Sequence, residues 1–410
     1  MILTALKPAA GGSSLAMVDG MVHFVRGALP GETVEAEITE SKKHHRFARA
    51  TRIVDPSPHR VDAPCPIYGI CGGCRLQHSD YPFQVEMKIE VLRDVLRRIG
   101  KIDCEGIAAI TSEPYGYRAR GTFRIDAQGP AFLREASHDL IHLTRCPLMT
   151  EGINRVLPAL CALPGNLGVD EMRALSNGDE TLLAFRDRRF DAETAARLDS
   201  AGVAGVRFAD RTWGKPSLTF PIGALRYTVG PLSFLQANWR VNLALVDRLV
   251  AWCGEAEAEA KGGTNGPVRV LDLYAGAGNF ALPVGAAGCN VVAVEGNEAS
   301  FRDLQQNIVA NGLAARCRAV RSPVERFRSS GRYDVVLLDP PRTGLTPAAR
   351  LLVERTEATR IAFVSCDPAT LARDLATLSD RYSIESVTLL DFFPQTHHIE
   401  TLAFLARRRG

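Results

Sequence analysis

A cysteine stands between an expected strand and an expected helix in the stretch 360–375, RIAFVSCDPATLARDL. The apolar run 361–364 fits a fully buried parallel strand. Asp367 is a good N-cap residue and Pro368 suits the first helical position, so a helix should begin there. Cys366 then lies at the carboxyl edge of a strand, where open α/β sheets bind ligands. A helix amino end favours negative charge, which would lower the thiol's pKa and make it a nucleophile. Read alone, the same stretch also fits a small buried apolar cysteine.

A second set of thiols lies upstream. Cys65, Cys71 and Cys74 fall within ten residues, threaded with glycines, in CPIYGICGGC. Such a loop can wrap one ion or cluster. The best candidate for a fourth ligand is Cys146, in Arg145-Cys146-Pro147. Proline follows both Cys65 and Cys146, a pairing also found at one ligand of bacterial ferredoxins. Four thiolates suit structural zinc or a four-iron cluster, and spacing does not choose between them. Cys104, Cys161, Cys253, Cys289 and Cys317 have no such company and are expected to pack.

A cofactor loop is expected at 271–281, LDLYAGAGNFA, after a first strand over 268–273. Its G-x-G-x-x-A, carried by Gly276 and Gly278, also satisfies a dinucleotide fingerprint, and Glu295 could hold a ribose in either case. Asp272, four residues before Gly276, could face the ammonium group of S-adenosyl-L-methionine. Asp339-Pro340-Pro341-Arg342 makes a rigid turn at the ligand edge, similar to that of methyltransferases acting on nucleic-acid bases. Both features favour S-adenosylmethionine over NAD.

These groups need a scaffold, and 410 residues are enough for two or three domains with ample core. Net charge is only +3, so a nucleic-acid surface must come from local patches. No run approaches about 18 apolar residues, and the amino terminus lacks a charged-then-apolar leader, so a soluble cytoplasmic protein is expected. Ten dilute cysteines without a leader suggest metal binding or catalysis before disulfides.

Runs at 15–18, 21–25, 33–38 and 48–53, divided by glycine turns and the basic stretch 42–46, predict a five-stranded OB-type barrel over 1–55. A central region over 56–230 would hold the cysteine loop, a helix over 84–100 and short strands. Its Tyr115, Tyr117, Arg118 and Arg120 suit stacking and phosphate contact on single-stranded RNA. A polar connection spans 255–267, and beyond it strands and helices alternate as in a doubly wound parallel sheet.

Together these motifs resemble the RNA uracil-C5 methyltransferase family, most nearly its branch forming 5-methyluridine in 23S ribosomal RNA. The resemblance spans essentially the whole chain. It implies a class I, Rossmann-like α/β methyltransferase domain over 231–410 and an amino-terminal TRAM barrel, marked by Phe24 to Glu32. It implies a central iron–sulfur domain whose helix 84–100 packs back on the catalytic domain. Cys65, Cys71, Cys74 and Cys146 match the family's [4Fe-4S] ligands. Gln236, Tyr274, Asn279, Glu295 and Asp339 fall on cofactor-contacting positions.

The resemblance also implies roles in catalysis: Cys366 as nucleophile, Glu400 as general base in PQTHHIE, and Asp339 on the uracil edge. The chain departs from the family at Tyr274-Ala275 for Phe-Cys, Asp367 for Asn and Gln395 for His. The implied partner is RNA, acted on by a monomer without membrane or obligate protein partner. Other readings are a transfer-RNA uracil methyltransferase, a base amino-group methyltransferase and a non-catalytic iron–sulfur RNA-binding protein.

Overall fold

Short strands with one apolar face can bury that face only by curling onto one another, and residues 1–55 do so. The computed structural model describes residues 1–161, 170–186, 192–208, 211–260, 266–329 and 331–408. The first sheet has six strand segments where the sequence suggested five strands, with Ile2–Thr4 at one edge and Lys7–Ala9 at the other. These two are one bent strand interrupted at Ala5 and Leu6, whose amides still donate to Glu32 and Leu15. The sheet therefore wraps back on itself. Its core is small: Leu3, Ala16, Val25, Val34 and Ala48 are all nearly inaccessible.

A seven-stranded sheet over 120–214 follows, covered by the helix Glu151–Leu160. The carboxyl-terminal half forms an eight-stranded sheet. Its order is Cys317–Arg321, Asn290–Glu295, Arg269–Leu273, Val335–Leu338, Arg360–Ser365, Glu400–Arg407, Tyr382–Leu390 and Ala108–Ile110. Only Glu400–Arg407 runs antiparallel to its neighbours. Strand order reverses between Arg269–Leu273 and Val335–Leu338, which opens a crevice at their carboxyl ends, the usual ligand site of such sheets.

Two pieces from before residue 230 belong to this layer. The strand Ala108–Ile110 extends the sheet, and the helix Tyr81–Val95, continued by a π-helical turn Leu96–Gly100, packs against the helix Pro368–Leu378. This is the packing expected of helix 84–100. The expected connection at 255–267 begins later: the helix Trp239–Ala260 runs through its first residues, and 261–265 lie outside the described residues. No helix among the described residues is long and apolar enough to cross a membrane.

The approach of the first helix to the nucleophile helix depends on Gly100. A Cβ there would stand 2.9 Å from Ala372 O and 2.9 Å from Ile102 Cδ1. Gly100→Val should therefore cost about 1–3 kcal/mol of stability, the usual penalty for overpacking. Thermal unfolding of the variant, compared with an exposed Gly254→Ala control, checks this.

Candidate active site

The crevice gathers three carboxyl groups and one thiol from four strand ends. Asp272 closes Arg269–Leu273 from inside: it is 1 % exposed, and apart from the nearby Ala281 amide its carboxyl oxygens lack a hydrogen-bond partner. Burial and the nearby Asp339 hold its carboxyl well above the ordinary range. A buried, unpartnered carboxylate is costly unless something cationic or hydrogen-bonding meets it. Beside it, Gly276 adopts φ 57° with open space where a Cβ would point. Gly278 adopts φ 98°, and a Cβ there would meet Leu304 at 2.8 Å. One glycine thus leaves room for a ligand, and the other lets the loop lie on the helix.

Glu295 folds onto that loop, accepting hydrogen bonds from Gly276 N at 2.7 Å and Asn297 N at 2.5 Å. Asn279 exchanges two 2.8 Å hydrogen bonds with Asn242 of the helix Trp239–Ala260. Gln236 donates to Asp339 Oδ2 at 3.3 Å, linking the segment before that helix to the Asp-Pro-Pro turn. Tyr274 takes a left-handed backbone conformation, φ 65°, and its ring packs into the core on the far side. The orphaned Asp272 and the open glycine fit the ammonium and carboxylate ends of S-adenosylmethionine, so the donor set suits that cofactor.

On the substrate side, Cys366 and Glu400 line one cavity of about 870 Å³ together with Arg342 and His398. Cys366 follows its strand and precedes a helix capped by Asp367 Oδ1, which accepts from Ala369 N and Thr370 N. Its local setting is therefore the expected one, but its ionisation is not. Burial, then Glu400 and Asp339, push the thiol up to about 11, and Arg342 only partly offsets them. The helix end loses to desolvation and two carboxyls.

Glu400 opens the last strand, paired with Leu390, and is 8 % exposed. Burial raises it to about 8, reinforced by Asp339 and Asp391 and opposed by Arg342 and Lys88. Asp339, half-buried by its accessible surface, is raised to about 7 by burial against the Gln236 hydrogen bond. Two carboxyls, Glu400 and Asp339, are thus poised near neutrality, as proton-transfer sites require.

Cys65, Cys71, Cys74 and Cys146 line the other end of the same cavity. All four are half-buried, and burial pushes Cys74 up to about 12 with help from the other three. Among the described residues no three donors stand at single-ion spacing. Of the other cysteines, Cys253, Cys289 and Cys317 pack in the main core as expected, whereas Cys161 is exposed at a helix end. Tyr117 also departs from expectation. It is 7 % exposed and donates to Pro394 O at 2.9 Å, so it supports the loop before Glu400 and cannot stack on RNA.

Sequence reasoning missed the anchors of that loop. Lys88 Nζ donates to Asp391 Oδ1 at 2.7 Å and to Phe393 O at 2.9 Å, and Tyr81 donates to Asp391 Oδ2 at 2.9 Å. Gln84 donates to Gln395 Oε1 and accepts from Gln395 N, both at 3.0 Å. One signal was available: Gln84 and Lys88 sit on the apolar stripe of their helix, with Val91, Leu92 and Val95.

Known proteins resemble this chain in sequence and in fold. Residues 326–408 match the family model described as tRNA (Uracil-5-)-methyltransferase, and residues 250–352 match that of the TRM5/TYW2 methyltransferase domain. A protein of Halomonas elongata named 23S rRNA (uracil(1939)-C(5))-methyltransferase RlmD is 35 % identical over 95 % of this chain and 85 % of its own. One of the same name from Aromatoleum aromaticum is 33 % identical over 97 % of each. The fold is similar to that of Pyrococcus abyssi tRNA (uracil-54, C5)-methyltransferase, crystallised with S-adenosyl-L-homocysteine. That likeness has a TM-score of 0.76 at 24 % identity, covering 98 % of this chain and 100 % of the other.

The raised carboxyls make stability depend on pH. Glu400 and Asp339 bind protons more tightly folded than unfolded. Their contribution is therefore fully present below their ordinary values of 4.5 and 3.8, and is lost as pH rises through about 8 and about 7. The protein without cofactor should lose on the order of a few kcal/mol between pH 5 and 8.5 from these groups. Glu400→Gln and Asp339→Asn should each flatten that decline, read by thermal unfolding across the range.

Proposed function

The chain belongs to the family of S-adenosylmethionine-dependent RNA uracil-C5 methyltransferases, and from that premise we propose that it forms 5-methyluridine in 23S ribosomal RNA through Cys366, Asp339 and Glu400. The observation that carries the assignment is the shared cavity: a thiol and a carboxyl near pKa 8 face one space, with Asp339 close enough to influence both.

Carbon 5 of uracil is a weak nucleophile. Addition of Cys366 Sγ to C6 moves electron density onto C5 and its neighbouring carbonyl. Asp339 holds the edge of the base. Asp272, Gln236, Glu295, Asn279 and the Gly276–Gly278 loop, shaped by Tyr274, would hold S-adenosylmethionine, which would supply the methyl group for C5 and leave as S-adenosylhomocysteine. Glu400 then accepts the proton remaining on C5, and the returning electron pair expels the Cys366 thiolate. The base must leave its stack to reach this pocket.

Arg75, Arg118, Arg124, Arg134, Arg145 and Arg342 line the cavity, which suits a path for RNA phosphates. The exposed basic hairpin tip at 42–44 adds a further contact. We divide the chain into a TRAM-like barrel over 1–55, a central RNA-binding domain over 56–230 and a catalytic domain over 231–410. We assign Cys65, Cys71, Cys74 and Cys146 to a [4Fe-4S] cluster. The four thiols line one end of the cavity, and the resemblance to the family supports a cluster over zinc. We assign the protein a cytoplasmic location and a monomeric state.

RNA fragments carrying 5-fluorouridine test the reaction, because fluorine blocks the last proton removal. A cysteine–RNA adduct should accumulate with S-adenosylmethionine and map to Cys366. Cys366→Ala should form none, and Glu400→Gln should trap an adduct on unmodified RNA. Methylation without any adduct would instead indicate an amino-group target, and methylation of transfer RNA alone would move the substrate.

Protein purified without oxygen should hold about four iron and four sulfide. Zinc in their place would overturn the cluster assignment.

A further inference from the structure

The loop 391–399 begins and ends at one cross-strand pair, Leu390 opposite Glu400. Lys88 sits against this loop from the helix Tyr81–Val95, with 3 % of its side chain exposed, and bonds Asp391, of which none is exposed. Asp391 N also donates to Ile110 O at 2.9 Å, so the first residue of the loop is fixed on both backbone and side chain. We propose that the buried Lys88–Asp391 pair is a positioning and charge-setting unit for Glu400, placing the loop that delivers it and fixing the charge it faces. The assignment rests on Glu400 as the proton acceptor of the proposed reaction.

Several charged groups face Glu400. Asp339, on the Asp-Pro-Pro turn, and Asp391, on the loop, disfavour its ionised form; Arg342 and Lys88 favour it. Cys366 lies close enough to feel its charge. His397 and His398, on the same loop, are held neutral, burial pushing them down to about 3 and about 4. Lys88 is a buried ammonium whose pKa burial pushes down while the Asp391 salt bridge opposes that, and a carbonyl also fixes it, whereas Arg342 is exposed. Removing Lys88 makes Glu400 harder to ionise, and removing the Asp391 charge makes it easier. A pair serving only to brace the loop would not give opposite signs.

The readout is the pH dependence of turnover and of adduct release on unmodified ribosomal RNA fragments. Lys88→Met should move the rising limb upward by about one pH unit, equivalent to about tenfold slower adduct release on its acid side. Adduct should then accumulate at pH 7 while its formation persists. Asp391→Asn should move the limb downward, and Lys88→Arg should keep the wild-type position.

Lys88→Met leaves Asp391 buried and uncompensated, so it can fail to fold. The double variant Lys88→Met/Asp391→Asn removes both charges and should return the limb toward wild type. Circular dichroism and S-adenosylmethionine binding confirm that each variant is folded. An unshifted or upward-shifted limb in Asp391→Asn, or a double variant shifted as far as Lys88→Met, would overturn the role given to the pair. Absence of any Cys366 adduct in the unaltered enzyme with 5-fluorouridine RNA would instead overturn the uracil-C5 reading, and the inference with it.

Discussion

A lysine and an aspartate removed from water together are stable only when their geometry is good and their remaining hydrogen-bond capacity is used. Lys88 and Asp391 meet that demand. The ammonium bonds one carboxylate oxygen and a carbonyl, and the Tyr81 hydroxyl donates to the other oxygen. Meeting it requires the helix at 81–95 and the loop after Leu390, more than 300 residues apart, to stand in one relation. Gln84 and Gln395 repeat the requirement with a reciprocal pair of hydrogen bonds. The segment after the cysteine loop is consequently built into the catalytic layer, and the strand Ala108–Ile110 completes the sheet beside it.

Opposite forces act in the crevice. Asp272, Asp339 and Glu400 lie near one another with few cations, and burial raises all three. Such an arrangement costs folding free energy, a common feature of sites shaped for chemistry. It suits a cationic ligand on the Asp272 side and proton exchange on the Glu400 side. The loop anchors therefore have a second consequence: they hold a carboxyl in a place it would otherwise leave for water.

Much of this was legible in the sequence because it is local. The capped turn after Ser365, the glycine loop after Leu273 and the Asp-Pro-Pro turn each follow from neighbouring residues, and strand alternation put them on one edge. The helix Pro368–Leu378 begins where the cap and proline placed it. What was not legible depends on distant partners. A helix-end argument could not anticipate the carboxyls around Cys366, which reverse the direction of its pKa. Tyr117 reads as an exposed aromatic until Pro394 is seen accepting its hydroxyl. Lys88 resembles any lysine until the stripe it shares with Leu92 and Val95 is noticed.

Gln395 shows how a strained backbone is held where function needs it. Its φ of 69° is a conformation that side chains other than glycine adopt at a cost. The cost is met by over-determination. Its amide N–H donates to Gln84, its side-chain oxygen accepts from Gln84, and its carbonyl accepts from Arg75 N and Leu76 N at 3.1 and 3.0 Å. Glutamine suits this position, since its amide oxygen can accept from the facing amide. Arg75 and Leu76 directly follow Cys74, so the turn before Glu400 is gripped by the helix on one side and by the cysteine loop on the other. Glu400, at the first position of its strand, is thus placed both by its pairing with Leu390 and by the fully bonded loop that leads into it.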